Sequence, residues 1–174
     1  EIVSDLTDVS FVQLIVITLG VAPNVGDYQE TRRIVGPLGQ TVAVLWNDGA
    51  RVQQLYRQLI NAGLDVSTPG KGLSVWTAFG YLLSDPKLKA FALHDCDIVG
   101  YNRGMLARLC FPMADPGLDF EFCKAYYARV TDRMHGRVVR LLVSPLIQSL
   151  IDVIGHTHFL DYLDSFRYPL SGEF

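Results

Sequence analysis

FVQLIVITL runs from Phe11 to Leu19. It is β-branched and almost unbroken in hydrophobicity, as a strand covered on both faces should be. TVAVLW (Thr41 to Trp46) and AFAL (Ala90 to Leu93) read the same way. Between the first two, Asp27 to Leu38 has helical spacing and runs into a Gly/Pro cluster. After TVAVLW, Asn47 and Asp48 are placed to cap a helix that carries Val52, Leu55, Leu59 and Ile60 on one face and closes at Gly63. Parallel neighbours need a crossover, so this alternation predicts an α/β fold with a mainly parallel sheet and helices on both faces.

Working outward, Gly72 to Leu83 reads as a helix, and Arg103 to Cys110 as a short one that ends before Pro112. Phe120 to Val130 alternates like a strand. Val138 to Ile154 is helical in spacing, with Pro145 set to kink or break it. No repeat, low-complexity tract or Pro/Ser-rich linker divides the chain, so residues 1–174 are expected to form a single domain. The first residue is not Met, and the opening residues read as the end of a helix, as in a piece of a longer chain.

Composition narrows the function classes. Hydrophobic residues make up 49% of the 174 and charged residues 19%, too apolar a mixture for a disordered segment. Fifteen basic against eighteen acidic side chains leave no bulk positive field for a nucleic-acid backbone. Polar breaks at Gln13, Asn24, Asp27, Ser144, Gln148 and Asp152 interrupt every long apolar run, so no membrane span is expected. Cys96, Cys110 and Cys123 have neither disulfide nor zinc spacing. They fit free, mostly buried thiols in a reducing compartment and, with no signal peptide in view, a cytoplasmic setting. Cys96 has no evident basic partner except His94 and reads as a small buried thiol rather than a nucleophile.

Three stretches carry chemistry. In FALHDCD (Phe91 to Asp97) an apolar strand runs into Asp95 and Asp97. Ligands of open α/β sheets sit beyond the carboxyl ends of the strands, and two carboxylates there can hold Mg²⁺ or Mn²⁺ if the backbone stays extended. The spacing alone is common by chance, and a solvated strand-to-loop turn would look alike. In PGKG (Pro69 to Gly72) a turn precedes a helix, so backbone N–H groups at Gly70 and Gly72 plus the Lys71 charge suit a diphosphate. It is not a Walker A loop, and alone it is equally an ordinary Gly-rich turn. In RMHGRVVR (Arg133 to Arg140) clustered arginines and His135 surround Gly136, a set suited to phosphate or carboxylate and equally to a solvated helix start. His156 and His158, without a third ligand, read as surface or capping residues. Trp46, Trp76, Tyr81, Tyr126 and Tyr127 read as core or half-buried packing. The sequence has no G-x-S-x-G elbow and no G-x-G-x-x-G fingerprint.

PGKG, ALHDCDIV, LDFEFCKAYYARV, HGRVVRLLVSPL and DSFRYPLSGEF, in that order, resemble the glucosyl-3-phosphoglycerate synthases and related mannosyl-transferring enzymes. The resemblance implies a GT-A, Rossmann-like nucleotide-diphospho-sugar transferase fold. It implies retaining transfer of a hexose, glucose favoured, from a UDP- or GDP-sugar to 3-phosphoglycerate with Mg²⁺ or Mn²⁺. By motif, Asp97 would ligate the metal and Asp95 would join it or sit near the sugar. Lys71, with Gly70 and Gly72, would meet the diphosphate. Gly136, Arg137 and His135 would bind the acceptor, and Glu173 would lie near the donor sugar. A homodimer is the expected assembly. Three departures stand out: Val139 replaces a Thr of many members, Leu19 and Gly20 stand where an acid or Ser is usual, and the family's first strand and a late metal-site His are expected to lie outside this stretch. The competing readings are a nucleotidyltransferase using the same acids and anion loop, and an inactive nucleotide-sugar-binding domain.

Overall fold

A computed structural model describes residues 2–7, 9–126, 137–166 and 169. The chain resolves into two compact units, one formed by residues 1–89 and 99–103, the other by 90–98 and 104–174.

The first unit holds the sheet. After a short helix α1 (Ile2–Leu6), β1 (Leu14–Leu19) and β2 (Thr41–Trp46) pair in parallel, from Leu14 opposite Thr41 to Leu19 opposite Trp46. All six β1 residues are half-buried with no alternation, as the unbroken apolar run predicts for a strand covered on both faces. The crossover is α2 (Val25–Val35), which packs on β2. Gln40 ties the return to the start of the unit by donating Nε2–H bonds to the Leu6 and Val9 carbonyls at 2.7 and 2.8 Å. At the end of β2, the Trp46 ring stacks on Tyr28 with centroids 5.3 Å apart, and its Nε1–H donates to the Ala22 carbonyl at 2.7 Å.

Helix α3 (Ala50–Asn61) ends as expected. Gly63, at φ +87°, donates to the Ile60 carbonyl, and Leu64 donates to that of Leu59, the paired bonds of a Schellman motif. Its start differs from the expectation. Gly49 takes the N-cap position, and neither Asn47 nor Asp48 caps the helix, because both side chains are engaged elsewhere. Helix α4 (Lys71–Leu83) follows the predicted span and packs on β1.

Among the described residues, the regular elements of the second unit are helices. Helix α5 (Arg103–Ala114) runs through Pro112 instead of ending at Cys110. Proline removes one bond to the carbonyl four residues back, and the ladder resumes when the Asp115 N–H reaches the Phe111 carbonyl at 3.0 Å. The break expected at Pro145 takes the form of a π-helical turn over Val139–Val143. There the Ser144 N–H donates to Val139, five residues back, and α6 (Ser144–Ile154) begins with the proline in its first turn. Helix α7 (His158–Ser165) folds back on α6, burying Ile147, Ile151 and Leu160 with Val143 and Leu163 packed around them. Its N-cap is Thr157, whose Oγ1 accepts the Leu160 N–H at 3.2 Å.

Two expected strands differ. Ala90 to Leu93 has no regular structure, and neither do residues 120–126; residues 127–130 lie outside the described set. Exposure alternates over 90–93, where the apolar run predicts cover on both faces. A strand also needs a neighbour's N–H and C=O groups, and among the described residues the sheet contains only β1 and β2. Phe122 instead joins an aromatic cluster with Tyr162 and Phe166, at centroid distances of 6.5 and 5.9 Å. Among the described residues, no helix is long and apolar enough to cross a membrane.

Candidate functional site: the crevice beyond the parallel strands

The carboxyl ends of β1 and β2 open on a crevice of about 370 Å³ within the first unit. Gly20 and Val21 follow β1, Asn47 and Asp48 follow β2, and Gly70 with Ser74 contributes the start of α4; Gln53, Tyr56 and Arg57 form the α3 wall. This is where open α/β sheets hold ligands, because successive loops leave the strands there and expose backbone N–H groups.

The floor is cross-linked. The Asn47 N–H continues the sheet to the Leu19 carbonyl at 2.9 Å, and the Asp48 carboxylate accepts the Ala22 N–H at 2.6 Å. The Asn47 carbonyl accepts from Gln53 Nε2 at 2.8 Å, and its side-chain amide bonds Ser74 Oγ at 2.9 Å. Deeper in the wall, the Tyr56 hydroxyl and Thr77 Oγ1 lie 2.7 Å apart. A Cβ at Gly20 would stand 2.9 Å from Ser74 Oγ, so the hydroxyl would have to shift to admit a side chain there.

Of the expected diphosphate contacts, Gly70 lines this crevice and serves as the N-cap of α4 at φ +147°, a conformation that glycine adopts without strain. Gly72 lines a second, more apolar hollow of about 310 Å³ with Leu64, Asp65 and Trp76. Lys71 begins α4 and is exposed. The turn therefore places orphan N–H groups of a 13-residue helix beside the crevice.

The remaining candidates belong to the second unit. Asp95 is half-buried and Asp97 exposed, but the backbone turns at Cys96 and Asp97, so the extended strand end assumed for the pair is not formed. Among the described residues, no three His, Cys, Asp or Glu side chains gather into a metal cage. Mg²⁺ bound by Asp95 and Asp97 alone would need waters and phosphate oxygens for most of its shell. Arg137 and Arg140 are exposed at the head of the π turn; His135, Gly136 and Glu173 lie outside the described residues.

Other expectations divide. Cys96 is exposed, not buried; Cys110 and Cys123 are half-buried, and burial raises the Cys110 thiol above its ordinary value. Trp46 is half-buried as expected, whereas Trp76, Tyr81 and Tyr126 are exposed, and Tyr127 lies outside the described residues. The His156 imidazole pairs with Asp161 at 2.6 Å next to the α7 cap, the expected surface role, and that bond raises its proton affinity.

Sequence reading noted Gly20 only as a departure in the family's nucleoside region and missed Asn47, Asp48, Ser74 and Arg57 as crevice residues. A signal was present: a Gly and an Asn-Asp pair each directly follow a buried strand, where ligand loops leave such sheets.

No family model matches the chain, and no solved structure matches it significantly. Two curated proteins do. A glucosyl-3-phosphoglycerate synthase of Persephonella marina is 50% identical over 174 residues, and one of Methanococcoides burtonii is 35% identical over 178. Both alignments cover all of this chain and 43% of the relative's length. By sequence, the chain resembles these two glucosyl-3-phosphoglycerate synthases along its whole length and spans less than half of theirs.

Proposed function

We propose that the chain is part of a retaining GT-A glycosyltransferase that moves glucose from a nucleotide-sugar donor to the 2-hydroxyl of 3-phosphoglycerate. The observation that carries this reading is the match of the whole chain, at 50% and 35% identity, to two proteins named for that reaction. The crevice beyond β1 and β2 supports it by offering a nucleotide-sized space with a helix N-terminus in its wall.

In this reading the crevice takes the nucleoside, and the N–H groups after Gly70 together with the Lys71 charge take the diphosphate. Asp97 and Asp95 would hold Mg²⁺ or Mn²⁺, which when bound supplies positive charge to the departing diphosphate. Arg137, with His135 and Gly136, would hold the anionic acceptor so that its hydroxyl meets the anomeric carbon, and Glu173 would contact the donor sugar. The bond from that carbon to the diphosphate oxygen breaks as the bond to the acceptor oxygen forms. The hydroxyl proton leaves to the released diphosphate. Attack from the leaving-group face keeps the configuration without a protein nucleophile. The setting is the cytoplasm, in keeping with unpaired cysteines, and the assembly is a homodimer.

The test is transfer from radiolabelled UDP-glucose, GDP-glucose and GDP-mannose to 3-phosphoglycerate, each with Mg²⁺ and with chelator. The expected result is a labelled phosphorylated glycoside that requires both acceptor and cation. Pyrophosphate released from a nucleoside triphosphate and a sugar phosphate would instead identify a nucleotidyltransferase. Nucleotide binding with no turnover would leave a binding domain.

A further inference from the structure

We propose that Asn47 is a positioning residue for the donor diphosphate, acting through Ser74 on the Gly70 turn. The role rests on reading the crevice as the donor site. Asn47 is only 6% exposed and bonds in three directions: to Leu19 through its N–H, to Gln53 through its carbonyl, and to Ser74 Oγ through its side chain. Ser74 in turn donates its backbone N–H to the Gly70 carbonyl at 3.1 Å, the first helical bond of α4. A continuous path of hydrogen bonds therefore runs from the end of β1 through Asn47 and Ser74 to the residue that caps α4.

The path fixes something that packing alone leaves loose. Gly70 sits at φ +147°, where a residue without Cβ has wide freedom, and the turn before α4 has no side-chain cap. Anion binding by orphan N–H groups depends on their aim, so a turn held against the strand ends presents them to the crevice without further ordering. Gly20 allows the approach, because any Cβ there would strike Ser74 Oγ. Either orientation of the Asn47 amide keeps the bond, since the Ser74 hydroxyl can donate or accept. The amide also has a buried Oδ1 with no hydrogen-bond partner among the described residues.

The test is calorimetric titration of UDP and GDP, with Mg²⁺, into the wild type, Ser74→Ala, Asn47→Leu and the double variant. The wild type should bind one of the nucleotides. Each single variant should then bind about five- to tenfold more weakly at unchanged stoichiometry, the scale of one hydrogen bond. The double variant should bind no more weakly than either single one, because the two residues act on one path. A purely structural role would lower the competent fraction and leave the affinity of the remainder unchanged, and that result overturns the proposal. So does wild-type affinity in Ser74→Ala, or losses that multiply in the double variant. If Asn47→Leu fails to fold, Ser74→Ala carries the comparison, since alanine is at home in a helix. A wild type that binds neither nucleotide refutes the donor reading itself, a result distinct from tight wild-type binding with unaffected variants.

Discussion

Gly49→Ala tests whether the end of β2 is as closely packed as it stands. A Cβ at Gly49 would lie 2.7 Å from Trp46 Cε3 and 3.1 Å from the Trp46 carbonyl oxygen, so the indole must move. The ring is committed on two other sides, stacked on Tyr28 and bonded through Nε1 to the Ala22 carbonyl. Overpacking of this kind costs about 1–3 kcal/mol. Losing the indole bond adds about 1 kcal/mol, and alanine is a poorer N-cap than glycine. Against this, alanine accepts φ −73° and ψ 150° without strain and restricts the unfolded chain, recovering about 0.4–1 kcal/mol. The net expectation is a loss of about 2–3 kcal/mol. For a chain of this size that is a fall of about 5–10 °C in Tm, read by circular dichroism. In a Trp76→Phe background, the emission of Trp46 should shift as the ring leaves its stack. Gly26→Ala in α2 is the control: nothing lies within 4 Å of its added Cβ, so it should be neutral or slightly stabilising. A Gly49→Ala protein that melts with the wild type and keeps its emission would refute the reasoning, as would equal losses in both variants.

Three further outcomes follow from particular contacts. The Asp161 bond, aided by the negative charge of Asp161 and Asp164, raises His156 above the imidazole value of 6.5. Its stabilisation of the α6–α7 junction is therefore complete below about pH 6.5 and lost as pH rises through the raised value. The urea-midpoint gap between wild type and His156→Gln should close on the alkaline side, and a pH-independent gap would contradict the pairing. Ile151→Ala, in the small α6–α7 core, should cost about 2–5 kcal/mol, and Thr157→Ala, which removes the α7 cap, about 1 kcal/mol, both measured by urea unfolding. Asp97→Ala should abolish the difference between nucleotide titrations with Mg²⁺ and with chelator; an unchanged difference would move the cation elsewhere.

The elements that sequence reading located well are those whose periodicity is sufficient by itself. The β1 and β2 runs, the spans of α2 and α4, and the Gly63 stop all follow from local chemistry. Each depends on residues within a turn or two: apolar spacing, a positive-φ glycine, a β-branched run. Ala90 to Leu93 carry an apolar run like that of β1 but, among the described residues, find no ladder, because pairing is a property of two segments. Pro112 and Pro145 carry the same local signal and end differently. The first is absorbed within α5, whereas a π turn leads into the second.

The candidate site divides along the same line. Gly70 is legible as the residue before a helix, because an N-terminus exposes its N–H groups wherever it lies. Asn47 and Asp48 look like helix caps from their neighbours. They serve as crevice residues because Ser74 and Ala22, 27 and 26 residues away, arrive within hydrogen-bond distance. The strand and helix segments, the anion-suited turn and the family likeness are legible without coordinates, being properties of residues close along the chain or of their order. Which side chains line the crevice emerges on folding, since a parallel pair brings the ends of β1 and β2 together and leaves their loops to meet α4 across an interval that no local pattern records.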